Sequence, residues 1–144
     1  MEVWKATYDD LDTLVTLARE FHDQSPFKNF PFSPSGSKSH FIRMMNDPFA
    51  VVFMHEDGLI GGSVGDYPFC DMCMAKEMFW FARNEGEGGL SLLQAYMTWI
   101  EGKGAQTDVM TVLCDDMGRK PGAIIRFMKR LGYEPIETTL MRVT

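Results

Sequence analysis

The sequence predicts an α+β fold, a mixed and mostly antiparallel central sheet flanked by about four helices. Three observations predict it. His55-Glu56-Asp57-Gly58 separates two apolar runs, residues 50–54 and 59–64, and Asp-Gly between such runs is a strong hairpin signal. Apolar residues recur at helical spacing along 11–21 and again along 90–100. The elements run strand, helix, helix, hairpin, strand, helix, strand, helix, strands, which is not the strict alternation of a parallel sheet.

Residues 3–6 are a short candidate strand. Thr7 or Asp9 can cap the helix that follows, whose apolar stripe is Leu11, Leu14, Val15, Leu17, Ala18 and Phe21. Residues 24–36 hold Pro26, Pro31 and Pro34 among aromatics and serines and are read as an irregular loop. In it, Phe27, Phe30 and Phe32 either pack onto the core or form the wall of a substrate pocket. A second helix over 37–46 presents Phe41, Ile42, Met44 and Met45 and stops at Asp47-Pro48. After the hairpin, the aromatic-rich run 74–81 is a third long strand. It opens into the turn Arg83-Asn84-Glu85-Gly86-Glu87-Gly88-Gly89, and the helix beyond, marked by Leu90, Leu92, Leu93, Tyr96, Met97 and Ile100, ends at Gly102 or Gly104. Residues 109–114 read as a strand, 121–131 as a helix closed by Gly132, and 133–143 as one or two strands broken near Pro135. No repeat, linker or low-complexity tract interrupts the chain, so one domain over residues 1–144 is expected.

Composition narrows the function classes. Fourteen basic residues against 20 acidic give a formal charge of −6, with no Lys/Arg block that could track a phosphate backbone, so nucleic acid is not an expected partner. No basic leader with an apolar core and no span-length apolar run is present, which predicts a soluble cytoplasmic protein without a membrane partner. Cys70, Cys73 and Cys114 are expected as free thiols. Cys70 and Cys73 have C-x-x-C spacing, but no second ligand pair completes a zinc site, so no metal is expected.

The chemistry gathers at the glycine turn. Glycines between a strand and a helix let a ligand approach the backbone, and the first amides of the helix have no intrahelical partner, which suits a phosphate. A Walker loop would need Gly-Lys-Ser/Thr, whereas Gly88 is followed by Gly89 and Leu90. A dinucleotide fingerprint would follow the first strand of a βαβ unit, whereas this turn follows a hairpin in mid-chain. What remains is a set of amides aimed at a pyrophosphate.

Arg83-Asn84-Glu85-Gly86-Glu87-Gly88 resembles the R/Q-x-x-G-x-G/A signature of GNAT-family N-acetyltransferases, in one register with Arg83 leading and in another with Asn84 leading and Gly89 last. Gly58-Leu59-Ile60-Gly61-Gly62 is similar to the family's hairpin strand, and Phe127-Met128-Lys129-Arg130-Leu131-Gly132-Tyr133 to its closing helix end, so the likeness covers nearly the whole chain. The tract 81–105, with Trp99 and Lys103-Gly104-Ala105, looks most like GNAT proteins carried by phages. The resemblance implies the GNAT-like acyl-CoA N-acyltransferase fold and acetyl-CoA as acyl donor. It implies a pyrophosphate held by the turn through Arg83, Asn84, Gly86, Gly88 and Gly89, and a thioester carbonyl met by backbone in the strand Phe79, Trp80, Phe81. It admits a homodimer, and it places Met128 where many members carry a tyrosine acid.

Acetyl transfer to a primary amine by direct attack on the thioester needs the amine neutral, the carbonyl polarised and a proton returned to the leaving thiolate. Glu77 is the candidate base, because a carboxylate flanked by Met78 and Phe79 in this apolar strand can have its pKa raised by desolvation. The other reading places Glu77 on the outer face, solvated or paired with Lys76. Strand alternation sets Glu77 on the same face as Phe79 and Phe81. His22, beside the proline-aromatic loop, is a candidate substrate-side group with Phe27 and Phe30, or else a helix-end residue complementing the dipole. The acceptor class is a small-molecule or peptide amine. The alternative function is a GNAT-shaped binding or interaction protein, weakly catalytic or inactive, consistent with the acidic turn and Met128.

Overall fold

The computed structural model describes residues 2–83, 87–112 and 121–142, and the chain divides into two compact units, Met1–Thr111 and Val112–Thr144. The first unit contains β1 (Trp4–Lys5), a 3₁₀ turn (Tyr8–Asp10), α1 (Leu11–Asp23), α2 (Pro34–Asn46), β2 (Ala50–His55), β3 (Gly58–Asp66), β4 (Cys73–Ala82), α3 (Glu87–Gly102) and β5 (Thr107–Val109). The strands form one sheet in chain order, antiparallel from β1 to β4 and parallel between β4 and β5. This is the mixed α+β architecture that the element order predicts.

Local chemistry sets the helix starts. Thr7 caps the turn before α1 in a capping box with Asp10, whose carboxylate accepts the Thr7 amide at 2.8 Å and the Trp4 indole N–H at 3.2 Å. The second helix begins at Pro34, inside the segment read as an irregular loop. Ser33 caps it by accepting the Gly36 amide at 3.0 Å, and a proline in the first turn sacrifices no intrahelical bond. At its other end α3 closes through Gly104, whose φ of +79° is open to glycine and strained for other residues.

The two faces of the sheet are covered by different helices. Leu14 and Leu17 of α1 and Phe41 and Met44 of α2 are buried with Val52, Met54, Leu59 and Phe81, and Phe21–Phe81 and Phe41–Phe79 ring contacts, each at 5.7 Å, tie both helices to β4. On the opposite face α3 lies against β3 and β4, with Leu92 over Gly58 and Tyr96 over Gly62.

A bulge interrupts β4. Gly61 pairs with Phe79 and Gly62 with Glu77, so Met78 is an extra residue opposite the Gly61–Gly62 step. One inserted residue breaks the period of two and changes which face the strand presents. Phe79 and Phe81 therefore face α1 and α2, while Glu77, paired with Gly62, faces α3. The expectation that simple alternation sets Glu77 beside Phe79 and Phe81 is corrected by this bulge.

The strand expected at 109–114 lies earlier and is shorter. The Gln106 amide donates to the Cys73 carbonyl, and the Gln106 side-chain oxygen accepts the Cys73 amide, which fixes the parallel register Met74–Thr107, Ala75–Asp108, Lys76–Val109. The ladder ends there because the next connection uses a side chain: Glu77 Oε2 accepts the Thr111 amide at 3.0 Å. Residues 113 and 114, including Cys114, lie outside the described residues.

The second unit contains α4 (Pro121–Arg130), which starts at a proline and closes at Gly132, φ +97°, as expected. The final strands are not found among the described residues 133–142. Pro135 offers no donor, and Ile136 and Leu140 stand 71% and 88% exposed, so neither a ladder nor an apolar face holds this segment as sheet. Across the described residues no helix is long and apolar enough to cross a membrane.

Candidate active site

Glu77 is 5% exposed, on the α3 face, at the point where the bulge and the end of the β4–β5 ladder coincide. The solvated reading of this residue therefore fails. Its exposed neighbour Lys76 carries that role. Burial pushes the Glu77 carboxyl up to about 7, and the Thr111 N–H bond pulls against that rise by favouring the charged form. A carboxylate balanced there exchanges protons near neutral pH.

Tyr96 of α3 stands over the same spot. It is fully buried, and its hydroxyl lies against Gly62, the partner of Glu77, so close that a Cβ at that glycine would sit 2.5 Å from Oη. Burial, and then the negative charges of Asp108 and Glu77, push the phenol well above its ordinary range, so it remains an O–H donor.

The strand residues expected around the thioester divide by face. Phe81 is buried and Phe79 half-buried beneath α1 and α2, whereas Trp80 points to α3 and donates its indole N–H to the Gly89 carbonyl at 3.1 Å. Gly88 is buried, and its carbonyl accepts the Nε2 proton of His55 at 3.0 Å. His55 is itself buried, and its Nδ1 accepts the Asp57 amide at 3.0 Å. The ring thus joins the hairpin turn to the first residues of α3, a role that sequence alone does not reveal. His55→Gln keeps at most one of these bonds. It should lower stability by about 2 kcal/mol, measured as a lower denaturant midpoint at unchanged slope.

Arg83 donates to both oxygens of Glu20, at 2.7 and 3.1 Å, and to Asp57 at 3.3 Å, so its guanidinium anchors the end of β4 to α1 and to the hairpin turn. Asn84 and Gly86 lie outside the described residues. At Gly89 an added Cβ would meet only the Trp80 ring at 3.9 Å, an ordinary contact, so packing within the protein does not demand glycine there.

The substrate-side candidates are placed elsewhere. His22 ends α1, which covers the opposite face from Glu77, and its Nε2 bonds the Phe30 carbonyl at 2.7 Å, while its ring meets Phe32 at 5.5 Å. The histidine therefore fastens the 24–33 loop to the helix. Phe27 and Phe30 are about half exposed, at 53% and 50%, and stand outside the core cluster. Met128 is buried in α4, and a thioether cannot donate a proton. Among the described residues no group of three His, Cys, Asp or Glu side chains could hold a metal ion, and Cys70 and Cys73 are free thiols.

No family model and no curated protein matches the chain. Solved structures do match it over essentially its whole length. A protein described as a probable acetyltransferase superposes with a TM-score of 0.74 at 13% identity, covering 100% of this chain and 99% of its own. An aminoglycoside acetyltransferase from an uncultured soil metagenomic sample, solved with sisomicin, gives 0.69 at 16% identity over 99% and 96% of the two chains. A GNAT family acetyltransferase of Staphylococcus aureus gives 0.66 at 12% identity over 99% and 98%. The fold is that of the GNAT acetyltransferases, as the turn, hairpin and closing helix imply.

Proposed function

We propose that the protein is an N-acetyltransferase that moves an acetyl group from acetyl-CoA to a primary amine by direct attack, with Glu77 as the general base. The observation that carries this reading is the Glu77 site. A buried carboxylate, raised to about 7, sits at the bulge in β4 and just past the end of the β4–β5 ladder, in the strand that leads to the glycine turn opening a 16-residue helix.

The residues present fit the donor. The first-turn amides of α3 lack intrahelical partners and carry the positive end of the helix dipole, which suits a pyrophosphate. His55 and Trp80 hold the Gly88 and Gly89 carbonyls and so fix the direction in which that turn faces. Glycine at 89, unneeded by the protein's own packing, keeps the backbone open to a ligand. Acetyl-CoA, when bound, supplies the activated thioester. For its part, Glu77 takes the proton that makes the amine nucleophilic, and its burial sets that exchange close to neutral pH. A backbone N–H within Phe79, Trp80 and Phe81 is the proposed donor to the carbonyl oxygen, since successive N–H groups of a strand point to opposite edges. Met128 leaves the proton for the departing thiolate to water or to a group outside α4.

The likeness to an enzyme solved with an aminoglycoside and the excess of acidic over basic residues both favour a cationic amine acceptor. The test is thiol release from acetyl-CoA across a panel of polyamines, aminoglycosides and amino-terminal peptides. Amine-dependent release, rising through about pH 7, is expected. Acetyl-CoA binding without release for any amine would favour the second reading, a GNAT-shaped binding protein, to which the buried methionine at 128 lends support.

A further inference from the structure

Tyr96 is fully buried, and among the described residues its hydroxyl is the buried side-chain polar atom left with no hydrogen-bond partner. An unpaired buried hydroxyl costs about 1–3 kcal/mol, so a fold that only needed an aromatic ring here would be served better by phenylalanine. The surroundings are polar and narrow. Gly62 lies directly beneath the hydroxyl, and a Cβ there would meet Tyr96 Oη at 2.5 Å and the Lys76 carbonyl oxygen at 2.6 Å. Gly62 is the cross-strand partner of Glu77, and residues paired in this way place their side chains on one face, about 5 Å apart at Cβ. The hydroxyl and the Glu77 carboxyl therefore lie on the same face of the sheet beside Gly62, and among the described residues no hydrogen bond joins them. Among the described residues the ionisable groups that face the hydroxyl are Glu77 from β4 and Asp108 from β5, and β3 contributes Gly62. Tyr96 oxygen, Glu77 carboxylate and Lys76 carbonyl together provide the two to four polar contacts that a buried water requires.

We infer that Tyr96 is a positioning residue for Glu77: its hydroxyl and the Glu77 carboxylate together hold a single water that stands between the carboxylate and the amine acceptor. This inference rests on the acetyltransferase reading for its catalytic consequence, but not for the water site itself. In the step it implies, the ammonium N–H bond breaks as a proton passes to the water, and a different proton of that water passes to a Glu77 oxygen. The amine is left neutral, Glu77 becomes a carboxylic acid, the water is regenerated and the Tyr96 O–H bond stays intact. The role resides in a helix residue that the 3.6 period alone marks as core.

The experiment is Tyr96→Phe, which removes one oxygen and leaves the ring packing in place. The Glu77 side-chain carboxyl is followed by ¹³C NMR from pH 4 to 9 in the wild-type protein and in the variant, and thermal unfolding is recorded for both. The inference expects the Glu77 midpoint of the variant to rise by about one pH unit, because the water that donates to the charged form has lost the hydroxyl that holds it. With an amine that supports turnover, the midpoint of the kcat/KM profile should rise by the same amount and kcat should fall about tenfold. An unmoved Glu77 midpoint would overturn the inference, whatever the unfolding temperature of the variant. The NMR titration needs no activity, so a protein that binds Glu77 and Tyr96 together in this way but turns over no amine would contradict the proposed function alone.

Discussion

Glu77→Gln should lower acetyl transfer by about 10²–10⁴-fold and at the same time make the protein more stable above pH 7. Both effects come from one carboxyl. Gln keeps the shape and can still accept the Thr111 amide, but it cannot take a proton from an amine. The stability change follows from linkage. The carboxyl is raised from 4.5 to about 7 in the folded protein, so the native state holds its proton more tightly than the unfolded chain does. The resulting stabilisation is fully present below about pH 4.5 and is lost as pH rises through about 7. At pH 8 the folded wild type holds a buried charge at a cost of about 3 kcal/mol, which the amide avoids. Denaturant unfolding at pH 5 and pH 8 should therefore show the two proteins diverging with pH, the variant ahead at pH 8. Retained activity in the variant would remove Glu77 from the chemistry.

Gly62→Ala should destabilise by about 3 kcal/mol, lower the unfolding midpoint by about 10 °C and take most of the activity with it. The added Cβ would meet the Lys76 carbonyl oxygen at 2.6 Å and Tyr96 Oη at 2.5 Å. A backbone carbonyl inside a ladder has nowhere to move, so relief must come from shifting Tyr96 or parting β3 from β4 at the bulge. The neighbouring glycines give an internal comparison. At Gly61 the clash, 2.3 Å, is with the tip of the Phe79 ring, which can rotate, and at Gly65 a Cβ meets nothing within 4 Å. Gly65→Ala should change the midpoint by no more than about 1 °C. Differential scanning calorimetry on the three variants measures the series.

Much of the fold is visible in the sequence because its signals are local. Asp57-Gly58 places the β2–β3 turn, the stripe from Leu11 to Phe21 places α1, and Gly104 and Gly132 mark helix ends where the chain turns left-handed. Elements that depend on a distant partner are harder to see. Pro34 reads as a breaker until Ser33 is known to cap the turn it opens, and β5 takes its register from Cys73 and Gln106, 33 residues apart. The segment 133–142 has a strand-like composition but no ladder among the described residues.

The site divides in the same way. Glu77 stands out as a carboxyl in an apolar strand, and its burial bears out the desolvation argued for it, but the face it occupies depends on Met78 being an extra residue. The adjacent glycines Gly61 and Gly62 were the available sign, since glycine inside a strand often marks a bulge or a close approach. Tyr96 falls on the apolar stripe of its helix, and nothing in a heptad-like pattern tells whether its hydroxyl finds a partner. His55 reads as a hairpin-end histidine until α3 folds back and brings Gly88 to it.

The most direct test of the central claim, that the turn opening α3 holds acetyl-CoA beside Glu77, is thermal unfolding with and without acetyl-CoA, with CoA and ATP as comparisons. A ligand at about 100 times its dissociation constant stabilises by about 2.7 kcal/mol, several degrees for a domain of this size. The account predicts a shift with acetyl-CoA and CoA and none with ATP. No shift at saturating acetyl-CoA would contradict it, leaving a GNAT-shaped protein without the donor.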